Sequence, residues 1–280
     1  MKKLSLSLIL SMIILACNKP KDPVIPPIDP VDSTGNTTNL TCKPISFFLT
    51  SVPGYTMSDE NIYDSLVYDA SGKITDVYWS VEVAPPVPTS SRNFSYNGFL
   101  PVGWQSRNSG DYQTIKYNGS NISEIMYVFE PDKVYDSITY VYTGGKVSRK
   151  DYLFVSGWGT LRSKRYMTYH YNTAGNMDKK EYYTDASTKD LTIDYSYDTT
   201  SNKLYQANPR LFTYFYSHHS PEERLYEPFF VSDKLINKLT TVSSTGTDTY
   251  NITYNFNANG YPVDIKINGK VALHINYECK

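Results

Sequence analysis

The stretch Asn255-x-Asn257-x-Asn259-Gly260 carries an oxygen donor at every second position and then a glycine, the spacing that opens a calcium-binding loop. Counted from Asn255, the twelfth position should hold a bidentate carboxylate, and it holds Lys266. The three leading donors are neutral amides, so little charge offsets the cost of stripping water from a divalent ion. The flanks decide the matter. Ile252, Tyr254 and Phe256 alternate with polar residues, as do Val263, Ile265 and Ile267 beyond the glycine, which is the period of a strand. The stretch reads as strand, turn, strand, with Asn and Gly supplying the positive φ a tight turn needs.

Other chemistry is sparse. The strongest metal-ligand candidate is the pair His218-His219, followed by Glu222 and Glu223. Adjacent residues seldom hold one ion unless the backbone bends, and a polar loop accounts for the pair, so no metal is assigned. His170 and His274 fall at solvent-facing positions of strands. Phosphate-binding, dinucleotide, zincin and serine-hydrolase motifs are absent from the sequence, so neither catalytic residues nor a cofactor are expected. A hydrolase acting on polysaccharide, the alternative reading, would need two carboxylates facing each other across a cleft. Spacing alone pairs none of the 28 acidic residues in that way. Trp104 and Trp158 follow the turns of repeating units described next, and exposed indoles there could stack on sugar rings; these two are the candidate ligand-binding residues.

The elements that must position such residues repeat. "LVYDASGKI", "FSYNGFL", "IKYNGSNI", "ITYVYTGGKV", "MTYHYNTAGNM" and "IDYSYDTTSNKL" share a plan of apolar-x-Tyr, then Asp, Asn or Thr, then a short turn usually with Gly, then an apolar residue. With Tyr68, Tyr96, Tyr117, Tyr142, Tyr171, Tyr197 and Phe256 as anchors, successive gaps are 28, 21, 25, 29, 26 and 59. A period in the twenties fits one β-hairpin per repeat, stabilised by stacking on its neighbours. The last gap is about two periods, so one degenerate unit is expected between Tyr197 and Phe256. "SPEERLYEP" departs from the pattern: Ser220, Pro221 and Glu223 form a helix start and Pro228 stops it, predicting a short surface helix.

The Tyr-x-Tyr-Asp/Asn-x-x-Gly-x-apolar signature resembles the YD repeats of the RHS family, and is similar in particular to YD-repeat-like lipoproteins of Bacteroidota. It covers roughly residues 63 to 270, although "FSYNGFL" has a shortened turn and "IDYSYDTTSNKL" lacks its glycine. The resemblance implies an antiparallel sheet of hairpins and no catalytic residues. Large RHS proteins wrap such repeats into a toxin-enclosing shell, for which this chain has too few.

The ends of the chain speak to location. Lys2 and Lys3 precede an apolar run from Leu4 to Ala16, too short to span a membrane, and the run ends in "ILAC", which resembles a bacterial lipobox. By that resemblance residues 1–16 are a signal peptide and Cys17 is the lipidated N-terminus, acyl chains that together anchor a protein stably. Residues 17–39 hold five prolines and read as a tether, a stiff spacer whose first fourteen residues reach up to about 40 Å at 3.1 Å per residue, followed by a flexible Ser/Thr/Gly/Asn stretch. The domain then spans 40–280. Signal removal takes two lysines from 27 basic side chains and none of the acidic ones, leaving no basic surface suited to nucleic acid.

Cys42 and Cys279 are the remaining cysteines, one at each end of the domain. In an exported chain an isolated pair points to a disulfide, free thiols being the other possibility. A disulfide needs Cα atoms within roughly 7 Å, whereas some fifteen strands at about 4.8 Å would part the ends of a flat sheet by about 70 Å. A bridge therefore requires the sheet to curl round, barrel-like, or the first strand to lie beside the last. The sequence thus predicts an all-β, antiparallel, hairpin-repeat protein of the cell envelope, an outer-membrane lipoprotein with a non-catalytic scaffold or binding role toward a protein or a glycan.

Overall fold

The computed structural model describes residues 42–50, 62–81, 90–98, 100–107, 109–128, 134–155, 161–185, 187–207, 229–230 and 232–279. The expected signal peptide, tether and Ser220–Pro228 helix lie outside them. Sixteen strands run in chain order. They are β1 (Cys42–Leu49), β2 (Ile62–Tyr68), β3 (Ile74–Val81), β4 (Ser90–Asn97), β5 (Leu100–Ser106), β6 (Tyr112–Asn118), β7 (Asn121–Val128) and β8 (Val134–Thr143). The second half comprises β9 (Lys146–Val155), β10 (Leu161–Tyr171), β11 (Met177–Tyr183), β12 (Lys189–Ser201), β13 (Lys234–Ser243), β14 (Gly246–Phe256), β15 (Pro262–Ile267) and β16 (Lys270–Cys279). A short helix, α1 (Lys203–Ala207), sits between β12 and β13. Each strand pairs antiparallel with the next, and β1 pairs with β16, so the meander closes into a barrel without a free edge.

The seam is also covalent. Cys42 lies opposite Cys279 in the β1–β16 register, their Cα atoms 4.0 Å apart, and the two form a disulfide. The curl inferred from two cysteines is therefore present, with the first strand beside the last.

The turns that lead from an even strand into the next odd strand lie at one end of the barrel, the turn end. Three of them are five-residue turns of one build. Asn257 accepts from the amides of Asn259 and Tyr261 at 3.0 Å through its side-chain oxygen, while Gly260, at φ 75°, donates to the Asn257 carbonyl at 2.9 Å. Asp69 repeats this with Gly72, and Asn172 accepts from the Asn176 amide alone, with Gly175 at the matching position. The oxygen suspected of calcium ligation is thus consumed by the turn's own amides.

Beside each turn the pairing of even with odd strand slips by one residue, a β-bulge, at Tyr68, Tyr96, Tyr117, Tyr142, Tyr171, Tyr197, Phe256 and, across the seam, next to Pro44. A bulge interrupts the ladder and leaves backbone groups in want of partners. Tyrosine hydroxyls supply them. Tyr68 donates to the Pro44 carbonyl at 2.6 Å, Tyr96 to Ile74 at 2.7 Å, Tyr117 to Pro101 at 2.6 Å and Tyr171 to Val147 at 2.9 Å. Tyr197 donates to Met177, Tyr254 to Ile236 at 2.7 Å and Tyr277 to Pro262 at 2.8 Å, while Tyr142 bonds the backbone of Ile122. Each acceptor but one is itself paired across its other hairpin with the preceding tyrosine, so the bonds circle the turn end. The rings are half buried, and their hydroxyls are bonded to protein. Burial raises the phenols of Tyr117, Tyr197, Tyr254 and Tyr277, and that of Tyr142 to about 12.

Two expectations about the end of the repeat series need correction. Phe256 holds the anchor's place beside its turn, yet it is 46 % exposed and has no hydroxyl, and Tyr254 two residues earlier makes the bond instead. Nor does a degenerate hairpin enter the sheet between them, because β12 pairs directly with β13. The extra length is an insertion at the turn end. It is not confined to the surface: Leu204, Phe229 and Phe230 are buried in the core, and Phe230 meets Phe47 of β1 edge-on at 5.8 Å.

The core lies inside the barrel. In every latch strand the motif apolar-x-Tyr reads buried, exposed, half-buried: Leu66-Val67-Tyr68, Phe94-Ser95-Tyr96 and Ile115-Lys116-Tyr117 are examples. One continuous apolar cluster takes side chains from all sixteen strands. Two tests of this frame follow. Tyr117→Phe and Tyr254→Phe keep the rings but orphan a carbonyl, and each should cost about 1–2 kcal/mol in urea unfolding, adding in the double variant because the sites are far apart. Replacing Cys42 and Cys279 together by serine closes no loop in the unfolded chain and should cost about 2–5 kcal/mol, with reductant then having no further effect on the midpoint.

Candidate functional site

The outer wall of β9 to β12 brings together a connected set of polar and aromatic groups. Cross-strand pairing dictates the arrangement: Asp151 faces Tyr166, Tyr166 faces Tyr183, Arg149 faces Thr168, and Thr168 faces Glu181, all pointing away from the core. Tyr166 and Tyr183 stack nearly parallel, 4.3 Å between centroids and 7° between planes. The Arg149 guanidinium covers the opposite face of this pair at 4.0 Å from the Tyr166 centroid and is held there by Asp151 at 2.6 Å. That carboxylate raises the Arg149 guanidinium further and keeps it charged.

Glu181 is the hub beside the rings. It accepts from Lys189 at 3.0 Å, Thr168 at 3.2 Å and Tyr183 at 3.2 Å, and meets His170 at 3.3 Å. Partial burial pushes its carboxyl up, but the Lys189 ammonium and the other donors outweigh this and hold it at about 2. Burial and the neighbouring Glu181 charge raise the Tyr183 phenol. A planar aromatic face flanked by fixed charged donors and acceptors is suited to gripping a polar ligand, a sugar ring or a peptide side chain, without chemistry. Sequence reading passed over this patch because its members come from four strands, and only the pairing register aligns them.

Trp104 is elsewhere. It is 2 % exposed, inside the barrel, with Tyr127 edge-on at 5.2 Å and the Arg92 guanidinium 4.4 Å from its ring. Gly103 before it leaves room for the neighbouring strand: a Cβ there would lie 2.0 Å from the Gln113 carbonyl oxygen. An indole held this way is a core side chain, and the stacking role read for Trp104 has no exposed face to act through. Trp158 lies outside the described residues, as do His218, His219, Glu222 and Glu223. His170 is on the outer wall as expected, and so is His274, whose Nδ1 meets Asp264 at 2.7 Å. Next to Trp104 the inward row continues through Gln113 and Tyr127 to Asp136, whose carboxyl burial raises to about 6.

No family model and no curated sequence matches this chain. Among solved structures it is similar to a porin-like protein from Bacteroides vulgatus, at 13 % identity and a TM-score of 0.52, over 84 % of this chain and 98 % of that one. A porin-like protein from Bacteroides uniformis aligns at 11 % identity and TM-score 0.48, over 88 % and 98 %. TcdB2-TccC3 aligns at 9 % identity and TM-score 0.17, over 80 % of this chain and 15 % of that one. The first of these similarities shows a shared fold.

The Glu181 carboxyl sets a pH test. Its folded pKa lies below the unfolded value, so its contribution is present above about pH 4.5 and is lost as pH falls toward 2. Discounted for solvent screening, Glu181→Ala should cost on the order of 1 kcal/mol at pH 7 and progressively less between pH 5 and pH 2.5, read from urea midpoints.

Proposed function

We propose that this chain is a lipid-anchored protein of the bacterial cell envelope, an outer-membrane lipoprotein. Its barrel of YD-type hairpins serves as a water-facing, non-catalytic binding scaffold. The observation that carries the reading is the sidedness of the wall. A membrane-spanning barrel turns an apolar band to lipid and a polar face to its lumen. Here the lumen holds the apolar core, and the outer wall carries ion pairs such as Lys43–Glu278, Lys116–Glu124 and Lys189–Glu181. A pore, the function suggested by the porin-like description of the neighbours, would also need an open lumen. Sixteen strands can enclose one, yet this interior is packed with rings and with Phe229 and Phe230 of the insertion.

The lipobox-like "ILAC" ending at Cys17 supports the anchor, and the Arg149–Tyr166–Tyr183–Glu181 wall offers the ligand surface, for a glycan or a protein. Expression of the full chain in a bacterial host tests this. The N-terminal peptide should carry a diacylglyceryl group on Cys17, the Cys17→Ser chain should remain in the aqueous phase without detergent, and neither form should conduct ions across a planar bilayer. A detergent requirement for Cys17→Ser, or stepwise conductance, would overturn the scaffold reading.

A further inference from the structure

The large apolar side chains left exposed on this barrel are not scattered evenly. Among the described residues there are seven: Ile45, Val67, Leu100, Val141, Tyr205, Val242 and Phe256, each 36 to 48 % exposed. Six of them lie at the turn end. Ile45 sits in the first half of β1, Leu100 at the start of β5, Val67 and Val141 within two residues of the ends of β2 and β8, Phe256 at the end of β14, and Tyr205 in α1. Val242 alone is at the opposite end.

The same end carries lysines folded over aromatic rings. Lys43 lies 4.7 Å from the Tyr68 ring centroid, Lys73 5.5 Å from Tyr96, Lys146 4.9 Å from Tyr171 and Lys203 5.6 Å from Tyr261. Aliphatic stems and rings with a cationic tip are the chemistry that settles at a lipid–water boundary. Carboxylates share this end, Asp69, Asp198 and Asp233 among them, so the apolar rim and not net charge is the feature that singles it out.

Covalent connectivity names the occupant. The described chain begins at Cys42, at the turn end, and the disulfide to Cys279 fixes both termini of the domain there. The 24 residues between Cys17 and Cys42 therefore join the barrel at the apolar rim. We infer that the turn end is a docking face for the lipid surface in which Cys17 is anchored. The barrel stands on that face, with the loops between odd and even strands directed away from the membrane. This rests on the anchor proposed above.

The test uses the full, acylated chain reconstituted in phosphatidylethanolamine–phosphatidylglycerol vesicles, with and without bromine on the acyl chains. Phe256→Trp and Val242→Trp each place an indole at an exposed apolar position, and emission of the native tryptophans, common to both, is subtracted. Urea midpoints equal to the parent's show that each variant is folded. The indole at 256 should lose most of its emission to brominated lipid while that at 242 is unaffected. Equal quenching at both positions, quenching at 242 alone, or none at either on a chain whose Cys17 acylation is verified by mass overturns the docking face. An unmodified Cys17 by mass overturns the anchor, and the docking inference with it, by a separate readout.

Discussion

Everything in this barrel depends on one hydrogen bond made eight times, a tyrosine hydroxyl to a backbone group of the neighbouring hairpin. Bulges at each turn tilt and tighten the strands, which a closed sheet needs, but they break the ladder where the wall is partly buried. A buried carbonyl without a donor costs about 1–3 kcal/mol, and eight such sites would exceed the stability of most domains. Phenylalanine would fill the same volume and leave the debt standing. The 27 tyrosines against 11 phenylalanines record this requirement for a ring and a donor on one side chain.

Closure imposes the second constraint. Sixteen strands enclose more space than aliphatic side chains alone can fill. The inward positions are accordingly rich in large groups: Tyr140, Tyr169, Tyr182 and Tyr195, and even Lys180, which is 0 % exposed with Tyr169 and Tyr182 rings 5.4 Å from its ammonium. Leu204, Phe229 and Phe230 come from outside the repeats to complete the packing. The insertion between β12 and β13 is therefore a working part of the fold, and the one irregular repeat is irregular for a reason of volume.

Much of this was legible beforehand. Period-two alternation with Asx-Gly turns identifies hairpins because each decision is local, and two cysteines 237 residues apart, once bridged, require that the sheet curl round or bring its first strand beside its last. Three features were hidden. The latch acceptors are backbone carbonyls 15 to 24 residues away, which no residue type announces. The insertion had the length of a repeat, so counting periods turned it into one. Trp104 follows a bulge in the β4–β5 pairing, and the slipped residue resets the alternation on which inward and outward were judged. The wall patch was invisible for a related reason: neighbours across strands are set by register, and register here is set by those bulges.

The seam explains why the cysteines stand where they do. Every other strand pair is joined by a turn or loop of the chain itself, so only β1 and β16 could separate without breaking a connection. Their pairing is also interrupted by the bulge between Pro44 and Ser46, close to the end at which the preceding chain enters. Any pull on that chain would load β1 at its first residue and peel it from β16 one bond at a time. The Cys42–Cys279 bond sits at that first position, backed by the Asn259 amide at 3.5 Å and the Tyr261 hydroxyl at 3.4 Å from the adjoining hairpin. A bridge placed further along β1 would leave its first residues free to fray. At Cys42 it passes the load straight to the last strand, and the ring of latches stays closed.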